Sequence, residues 1–340
     1  MKKTTTILFM SITLVISGYA QQLSELFNQV KSSVVVIHVL SKQNTGIGNP
    51  YQQTSVGGLG SGVLVSEDGY ILTAAHVVND AAEIQVEFFD GQEIPARVER
   101  LSNQADVALI RLQQPPANPN VAKIGESDSV MVGDPIFIIG APMGLSYSLT
   151  SGIISARHNM HKMTNSFAEA EFFQTDASIN TGNSGGPVFN MQGEVIAIAS
   201  AILSRSGGFE GIGFAATTEI ARTLLVKKQS YWWGFTPIYL NDELAWIFNI
   251  PQEAGILVES VTDKSPAYFA GLKGGYINLQ IGEDEFLAGG DIILAVEDIP
   301  VTSEENITKI QEYVWDMPAK TRFNVTILRK GKVQNLQWVK

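Results

Sequence analysis

The sequence predicts a mainly β protein: two six-stranded antiparallel β-barrels followed by a smaller α+β unit. Three observations lead there. Short apolar runs bounded by Gly, Asn and Asp turn signals fill the stretch from Val34 to Ala216. The segment "QQPPANPN", Gln113 to Asn120, divides those runs into two sets of about six. From about Tyr231 onward, strands alternate with helical patterns instead.

The elements follow in chain order. Lys2 and Lys3, the apolar run Ile7 to Ile16 and the small residues Gly18 and Ala20 form the pattern of a secretory signal peptide, residues 1–20. Gln22 to Lys31 carries Leu23, Leu26, Phe27 and Val30 at helical spacing. Val34 to Leu40 reads as a buried strand with His38 as a packed core histidine, and the Gly-rich stretch Gln43 to Gly60 as a flexible loop. Gly62–Val65, Tyr70–Thr73, Ile84–Phe89, Ile94–Arg100 and Val107–Leu112 are the next strands, with hairpin turns at Asp68-Gly69 and Asp90-Gly91. The second set is Pro135–Ile139, Tyr147–Ser155, Phe172–Thr175, Val188–Phe189, Val195–Ala199 and Gly213–Ala216, closed by a helix over Thr218–Lys228. In the last unit, strands Gly255–Val261, Asp291–Val296 and Arg322–Arg329 alternate with a helix near Ser265-Pro266 and one from about Ser303 to Val314. Thr302 and Glu305 suggest a capping box for the second helix.

Composition narrows the function. The chain of 340 residues is 45% hydrophobic with a formal charge of -11, which argues against nucleic acid and anionic membranes as main partners. After the leader no apolar run approaches the ~18 residues of a membrane span. There are no cysteines, so disulfides and thiol chemistry are excluded. The four histidines are His38, His76, His158 and His161. The spacing of the last two suits a metal, but no acidic partner lies near, and the sequence predicts no metal and no cofactor.

"TGNSGGPV", Thr181 to Val188, sets a serine among glycines. Gly182-Asn183-Ser184-Gly185-Gly186 suits two nucleophile settings, the G-x-S-x-G elbow of α/β-hydrolases and the G-[DN]-S-G-G of two-barrel proteases. The elbow requires a catalytic His after the Ser, and none follows His161. The order Asp, His, Ser leaves only Asp68, in a turn, ahead of His76. The order His, Asp, Ser fits. His76 lies on a helical turn after the strand in "ILTAAHVVND". Asp106 directly precedes the strand in "NQADVALIRL", where a half-buried carboxylate requires a partner such as an imidazole N–H. Asp80, only four residues from His76, Asp90 in a turn, and Asp128 and Asp134 in loops are weaker candidates.

The stretches "GSGVLVSEDGYILTAAHVV", "ADVALIRL", "QTDASINTGNSGGPVFN" and "GIGFA", in this order from Gly60 to Ala216, resemble the trypsin-like serine proteases, and more narrowly the HtrA (Deg) family. The resemblance implies a protease domain over residues 21–229 with Ser184 as nucleophile, His76 as base and Asp106 as its orienting carboxylate. It places the oxyanion hole at Gly182, Asn183 and Ser184, and the specificity pocket at Ser178, Ile179, Ile198 and Ser200. Strand Ile196–Ile202 would pair with the substrate backbone. Ser178 at the pocket base is uncharged, against a Lys or Arg preference. Thr181 departs from the family's usual Pro, and the Gly46–Gly60 loop is short for it.

"GILVESV", "SPAYFAGLKGG" and "GGDIILAVEDIPV" resemble a PDZ domain of the same family, over residues 230–340, with a carboxylate-binding loop at Trp233, Gly234 and Phe235. Packing of Trp232 and Trp233 into an interdomain joint is the competing reading. "YINLQIGEDEFLAG", 276–289, replaces the usual short link and puts the groove geometry in question. The function implied is an exported, periplasmic or secreted, ATP-independent endopeptidase. It would cleave unfolded or misfolded polypeptides after small aliphatic residues, bind peptide C-termini at the PDZ domain and form a homotrimer. A chaperone-like binding protein and a narrow processing protease are the alternatives.

Overall fold

The computed structural model describes residues 22–44, 53–103, 105–141, 147–159, 171–202, 209–222, 232–281 and 284–340. The leader, His161 and the second half of the helix expected over Thr218–Lys228 lie outside the described residues. Helix α1, residues 22–30, leads through a 3-10 turn, Lys31–Ser33, into the first barrel. Its strands are β1 (Val34–Asn44), β2 (Gln53–Leu64), β3 (Tyr70–Thr73), β4 (Ala81–Glu87), β5 (Glu93–Ser102) and β6 (Val107–Leu112). The second barrel contains β7 (Pro135–Gly140), β8 (Ser148–Asn159), β9 (Glu171–Thr175), β10 (Pro187–Asn190), β11 (Val195–Ile202) and β12 (Gly213–Thr217).

Both barrels close with the same neighbour order. The ring β1-β2-β3-β6-β5-β4 in the first matches β7-β8-β9-β12-β11-β10 in the second. Inward residues such as Ile37, Leu64, Ile71, Val86 and Ile110 fill the first; Ile136, Ile138, Ile154, Phe173 and Val188 fill the second. A third apolar cluster joins them. Val63, Leu72 and Leu109 of the first barrel pack against Phe137, Phe189 and Ile198 of the second, with the Phe137 and Phe189 rings stacked at 5.1 Å. The functional residues are spread across this seam.

Two expectations fail here for stated reasons. Of the stretch expected to be a flexible loop, residues 45–52 lie outside the described residues, and residues 53–60 belong to β2, paired residue for residue with β1. Its glycines serve packing: a Cβ on Gly60 would lie 2.5 Å from Val77, and one on Gly62 would lie 2.8 Å from Ile71. His38 is not a core residue. Strand alternation turns it outward, where Nε2 meets Glu87 Oε2 at 2.9 Å with the ring half exposed. Among the other histidines, His158 pairs through Nε2 with Gln174 Oε1 at 2.9 Å.

The C-terminal unit is a sheet in the order β13 (Phe235–Asn241), β14 (Ala254–Val261), β17 (Ile292–Val296), β19 (Arg322–Arg329), β20 (Lys332–Val339), with β18 (Ile299–Pro300) beside β17. Helices α4 (Asp242–Ile247), α5 (Pro266–Phe269) and α6 (Glu304–Asp316) complete it; α2 and α3 belong to the barrels, at Ala75–Val78 and Thr218–Arg222. The cap of α6 lies one residue past the expected box. Ser303 Oγ accepts from Asn306 N, while Thr302 Oγ1 accepts from the Asn306 side chain.

The 276–289 segment is a hairpin of β15 (Ile277–Ile281) and β16 (Asp284–Ala288). Phe286 and Ala288 pack on Leu240, Leu257, Ile292 and Leu294, one face of the sheet. Phe235 and Tyr239 of β13 sit on the opposite face, in the cluster that contains Ile307, Ile310 and Val314 of α6. The hairpin therefore covers the far face, and among the described residues no strand pairs with the outer edge of β13. No helix among the described residues is long and apolar enough to cross a membrane.

Candidate active site

β3 ends at Thr73 and the chain turns into the single helical turn α2, with His76 half exposed upon it. Ala74 at the N-cap has no capping side chain. Asp106 supplies the cap from the entrance of β6: Oδ1 accepts from His76 N at 2.9 Å. The same carboxylate faces the imidazole, with Nδ1 at 2.8 Å from Oδ2 and 3.0 Å from Oδ1. An ionised carboxylate only accepts, so Nδ1 carries the ring proton and Nε2 is left with its lone pair. Asp106 occupies the left-handed backbone region at φ 49°, which Asp tolerates better than most residues. Ser200, in β11, donates its hydroxyl to Asp106 Oδ2. The rival carboxylates are engaged elsewhere. Asp90 accepts from Gln92 N, Asp134 from Met131 N, Asp80 from Thr236 and Ser260, and Asp128 lies beside Arg157, whose guanidinium is held protonated chiefly by its hydrogen bond to Glu171, with the Asp128 charge adding to it.

Ser184 lies across the seam, in the loop before β10. Its Oγ donates to the Ser200 carbonyl at 3.3 Å, and among the described residues it makes no hydrogen bond to the His76 ring. The loop is a β-turn closed by Asn183 N donating to Asn180 O at 2.9 Å, with Gly182 third at φ 103°. That φ marks a type II turn and requires glycine. Gly185, at φ 83°, is equally constrained: a Cβ there would lie 2.2 Å from Thr73 Oγ1 and 2.3 Å from Ser61 O.

The structure brings His76, Asp106, Ser184 and Gly182 to one seam and redistributes several other expected site residues. Asn183 is not an oxyanion donor, because its N–H closes the turn; its side chain is buried and donates to Ser178 O at 3.3 Å. Ile198 is fully buried in the interbarrel cluster. The Ser200 hydroxyl faces Asp106 rather than a pocket. Ile179 is buried against the second barrel's core, its Cδ1 at 2.9 Å from where a Cβ on Gly213 would stand. Ser178 is half-buried, and its carbonyl also accepts from Thr150 Oγ1 at 3.0 Å. The hydroxyl of Ser61 was missed, since a lone serine among glycines gives no pattern, and Ser200 was expected in the pocket and not beside Asp106; only the strand register reveals these partners.

In the C-terminal unit, Gly234 has φ 79° and no room for a Cβ, which would fall 2.1 Å from Ser265 Cβ. Its carbonyl accepts from Thr262 N at 2.9 Å and Ser265 Oγ at 3.0 Å. The Trp233 ring packs edge-on against Phe235, Phe323 and Trp338, while Trp232 packs against the first barrel. The joint reading thus holds for Trp232, and Trp233 belongs to the core under the loop.

Comparison with known proteins agrees with this geometry. Residues 60–198 match the trypsin-like peptidase domain, and residues 234–338 match the PDZ domain. A probable periplasmic serine endoprotease, DegP-like, of Pseudomonas putida (strain GB-1) is 36% identical over 291 residues, 84% of this chain and 56% of that protein. A probable serine protease do-like of Buchnera aphidicola subsp. Acyrthosiphon pisum is 35% identical over 285 residues, 82% of this chain and 55% of that one. The chain thus spans little more than half the length of these curated relatives. Among solved structures, the HtrA-type protease AlgW with decapeptide superposes with a TM-score of 0.52 at 28% identity, covering 93% of this chain and 97% of that chain. A variant of AlgW with decapeptide gives 0.55, covering 93% and 96%. The chain belongs to the HtrA (Deg) family of trypsin-like serine proteases and carries a PDZ domain behind its two barrels.

Proposed function

We propose that this protein is an exported, ATP-independent serine endopeptidase of protein quality control, acting in the periplasm or outside the cell. Its substrates are unfolded or damaged polypeptides, cut after small aliphatic residues. The observation that carries the reading is the Asp106–His76 pair, held at 2.8 Å, with Ser200 linking Asp106 to a serine that follows a glycine-containing type II turn. Beyond Ala199, whose N–H and carbonyl pair with Gly186 O and Gly185 N, β11 has no strand partner on the β10 side among the described residues. An extended substrate can add there as a strand, taking over the Ser200 carbonyl that Ser184 Oγ now contacts.

The released hydroxyl turns to His76 Nε2. Its oxygen bonds to the scissile carbonyl carbon as its proton passes to Nε2, and the carbonyl π electrons become an oxyanion. The Gly182 and Ser184 N–H groups, neither of which donates to another backbone carbonyl among the described residues, hold that oxyanion. The imidazolium is stabilised by Asp106 and returns its proton to the amine as the C–N bond breaks. Water then repeats the sequence on the acyl-enzyme. The uncharged Ser178 with Ile179 beside Gly213 favours small apolar side chains. The PDZ groove between the β13 edge and α6 takes peptide C-termini, and a homotrimer is the expected assembly.

Casein digestion by the parent and by Ser184→Ala tests the reading. The parent should cleave at many sites, and the variant should lose at least about a thousandfold in rate while still folding. A parent that folds and leaves casein intact refutes it. Cleavage at only a few sites of a peptide library would point to a narrow processing role instead.

A further inference from the structure

The hydroxyl of Ser61, in β2 of the first barrel, is fully buried between the barrels. It donates to the Gly182 carbonyl at 2.7 Å and accepts from Ala141 N at 3.0 Å. The backbone N–H of the same residue donates to the Ser184 carbonyl at 2.9 Å. Gly182 and Ser184 are the two residues whose own N–H groups would bind the oxyanion. One residue of the first barrel therefore holds the carbonyls of both donors in the second. The Ser61 carbonyl in turn accepts from Thr73 Oγ1 at 2.7 Å, at the last residue before the turn into α2 and His76.

The glycines around this point clear the space. A Cβ on Gly185 would strike Ser61 O at 2.3 Å, one on Gly186 would stand 3.3 Å from Ser61 Cβ, and one on Gly140 would stand 3.1 Å from Ser61 Oγ. The Gly182–Asn183 peptide is consequently held at both ends. Its carbonyl is held by Ser61 Oγ, with Ala141 N at 3.4 Å as a weak second donor, and its N–H by Asn180 O. Without the hydroxyl, the carbonyl end of that peptide is left to the weak Ala141 contact, and the Gly182 donor loses its fixed distance from the Ser184 donor. The Ser184 side of the hole, held by the Ser61 backbone, is unchanged.

We propose that Ser61 is a positioning residue for the oxyanion hole: its hydroxyl fixes the spacing of the Gly182 and Ser184 donors from across the barrel seam. The proposal rests on the serine endopeptidase reading above. Transition-state stabilisation depends on donors already in place, and losing one outright typically costs about 10²–10³ in kcat. A donor displaced but still present should cost less, roughly 10- to 100-fold.

The test compares parent, Ser61→Ala and Ser61→Cys on a peptide substrate. It uses two inhibitors of one sequence: a peptidyl aldehyde, whose adduct with Ser184 carries the oxyanion, and the corresponding alcohol, which carries none. For Ser61→Ala, kcat should fall roughly 10- to 100-fold with KM within about twofold. The aldehyde should weaken by the same factor and the alcohol should bind as before. Ser61→Cys, with a weak S–H donor of similar size, should fall in between, and it carries the test if the alanine variant does not fold. A kcat within twofold of the parent, or equal weakening of both inhibitors, overturns the proposal. A parent that neither turns over substrate nor binds the aldehyde overturns the endopeptidase reading itself, and the Ser61 role with it.

Discussion

Asp106 at the barrel seam and Asp291 in the C-terminal sheet are both carboxylates sequestered from water and bound by several donors, yet they serve opposite ends. Asp291 is 1% exposed and meets Arg329 through two parallel bonds, Nε to Oδ1 at 2.7 Å and Nη2 to Oδ2 at 2.6 Å. Lys273 N adds a third donor, and Arg329 Nη2 also reaches Gly271 O. Its cation is permanent, and the Asp291 hydrogen bond holds the guanidinium still more firmly protonated. Asp106 has no permanent cation beside it among the described residues. Its donors are an imidazole, a serine hydroxyl and a backbone N–H, and its side chain is 19% exposed beside a half-exposed ring. A carboxylate that already has a fixed cation gains little from a passing positive charge. One faced by a neutral imidazole is left to stabilise the imidazolium when it forms. Under the proposed function, the difference separates a carboxylate that holds the fold from one that drives a reaction.

Substitutions at the two positions should therefore fail in different assays. Asp106→Asn keeps the shape but offers Nδ1 an amide that can present a donor, so the ring can settle in the wrong tautomer. The expected loss in kcat is about 10⁴-fold, as the same change costs in a comparable triad, with little change in unfolding. Asp291→Ala leaves Arg329 without its anion, and removing one partner of a buried pair costs about 3–5 kcal/mol. The Trp233 and Trp338 rings lie in the core of that unit, so denaturant unfolding followed by tryptophan fluorescence reads the loss directly. Cleavage of a short peptide at low denaturant should persist. An Asp106→Asn protein that unfolds early with normal kcat, or an Asp291→Ala protein that is fully stable, breaks the comparison.

Ser200→Ala sharpens it on the Asp106 side. The variant removes one hydroxyl donor from the carboxylate while leaving the Ser200 carbonyl in place for Ser184 and for substrate. About one hydrogen bond to a charged group is lost, worth roughly 1.5–3 kcal/mol at most. The expected fall in kcat is about tenfold, with KM nearly constant. A rise in KM alone would mean that Ser200 acts on the substrate and not on Asp106.

How much of this the sequence revealed depends on whether a residue's role is local. Tyr70–Thr73, Val107–Leu112 and Arg322–Arg329 were legible as strands because apolar and β-branched residues fill them between turn signals. The order His76, Asp106, Ser184 was legible because nucleophile families differ in chain order. The first half of β2 was not, since Gly57, Gly58 and Gly60 read as a loop until the side chains of Val39 and Val77 are seen to fill the space at Gly58 and Gly60. His38 was misjudged because an apolar run conceals which of its residues face outward. Ser61 was invisible as a site residue, and Ser200 was placed in the pocket and not beside Asp106, because their partners lie 80 to 121 positions away and no spacing rule connects them.

The smallest effect concerns the joint between the two regions compared. Thr262 N donates to the Gly234 carbonyl in the expected carboxylate loop, and Thr262 Oγ1 donates to the Asn79 carbonyl at 2.9 Å. Asn79 is the residue that closes α2, its N–H donating to Ala75 O at 2.8 Å one turn around His76. Thr262→Val keeps the shape and the backbone bond and removes only the hydroxyl. One neutral hydrogen bond is worth about 0.5–1.5 kcal/mol, so hydrogen exchange at the Asn79 amide should quicken by roughly two- to tenfold. Peptide cleavage should change by less than about twofold, because Asp106 still caps α2 from the barrel side. Asp80 reaches Thr236 and Ser260 of the sheet, so Asp80→Ala should loosen the same amide by a similar factor. If Thr262→Val leaves Asn79 exchange at the parent rate, the two regions touch without supporting one another. The His76 turn would then owe its order to the first barrel and Asp106 alone.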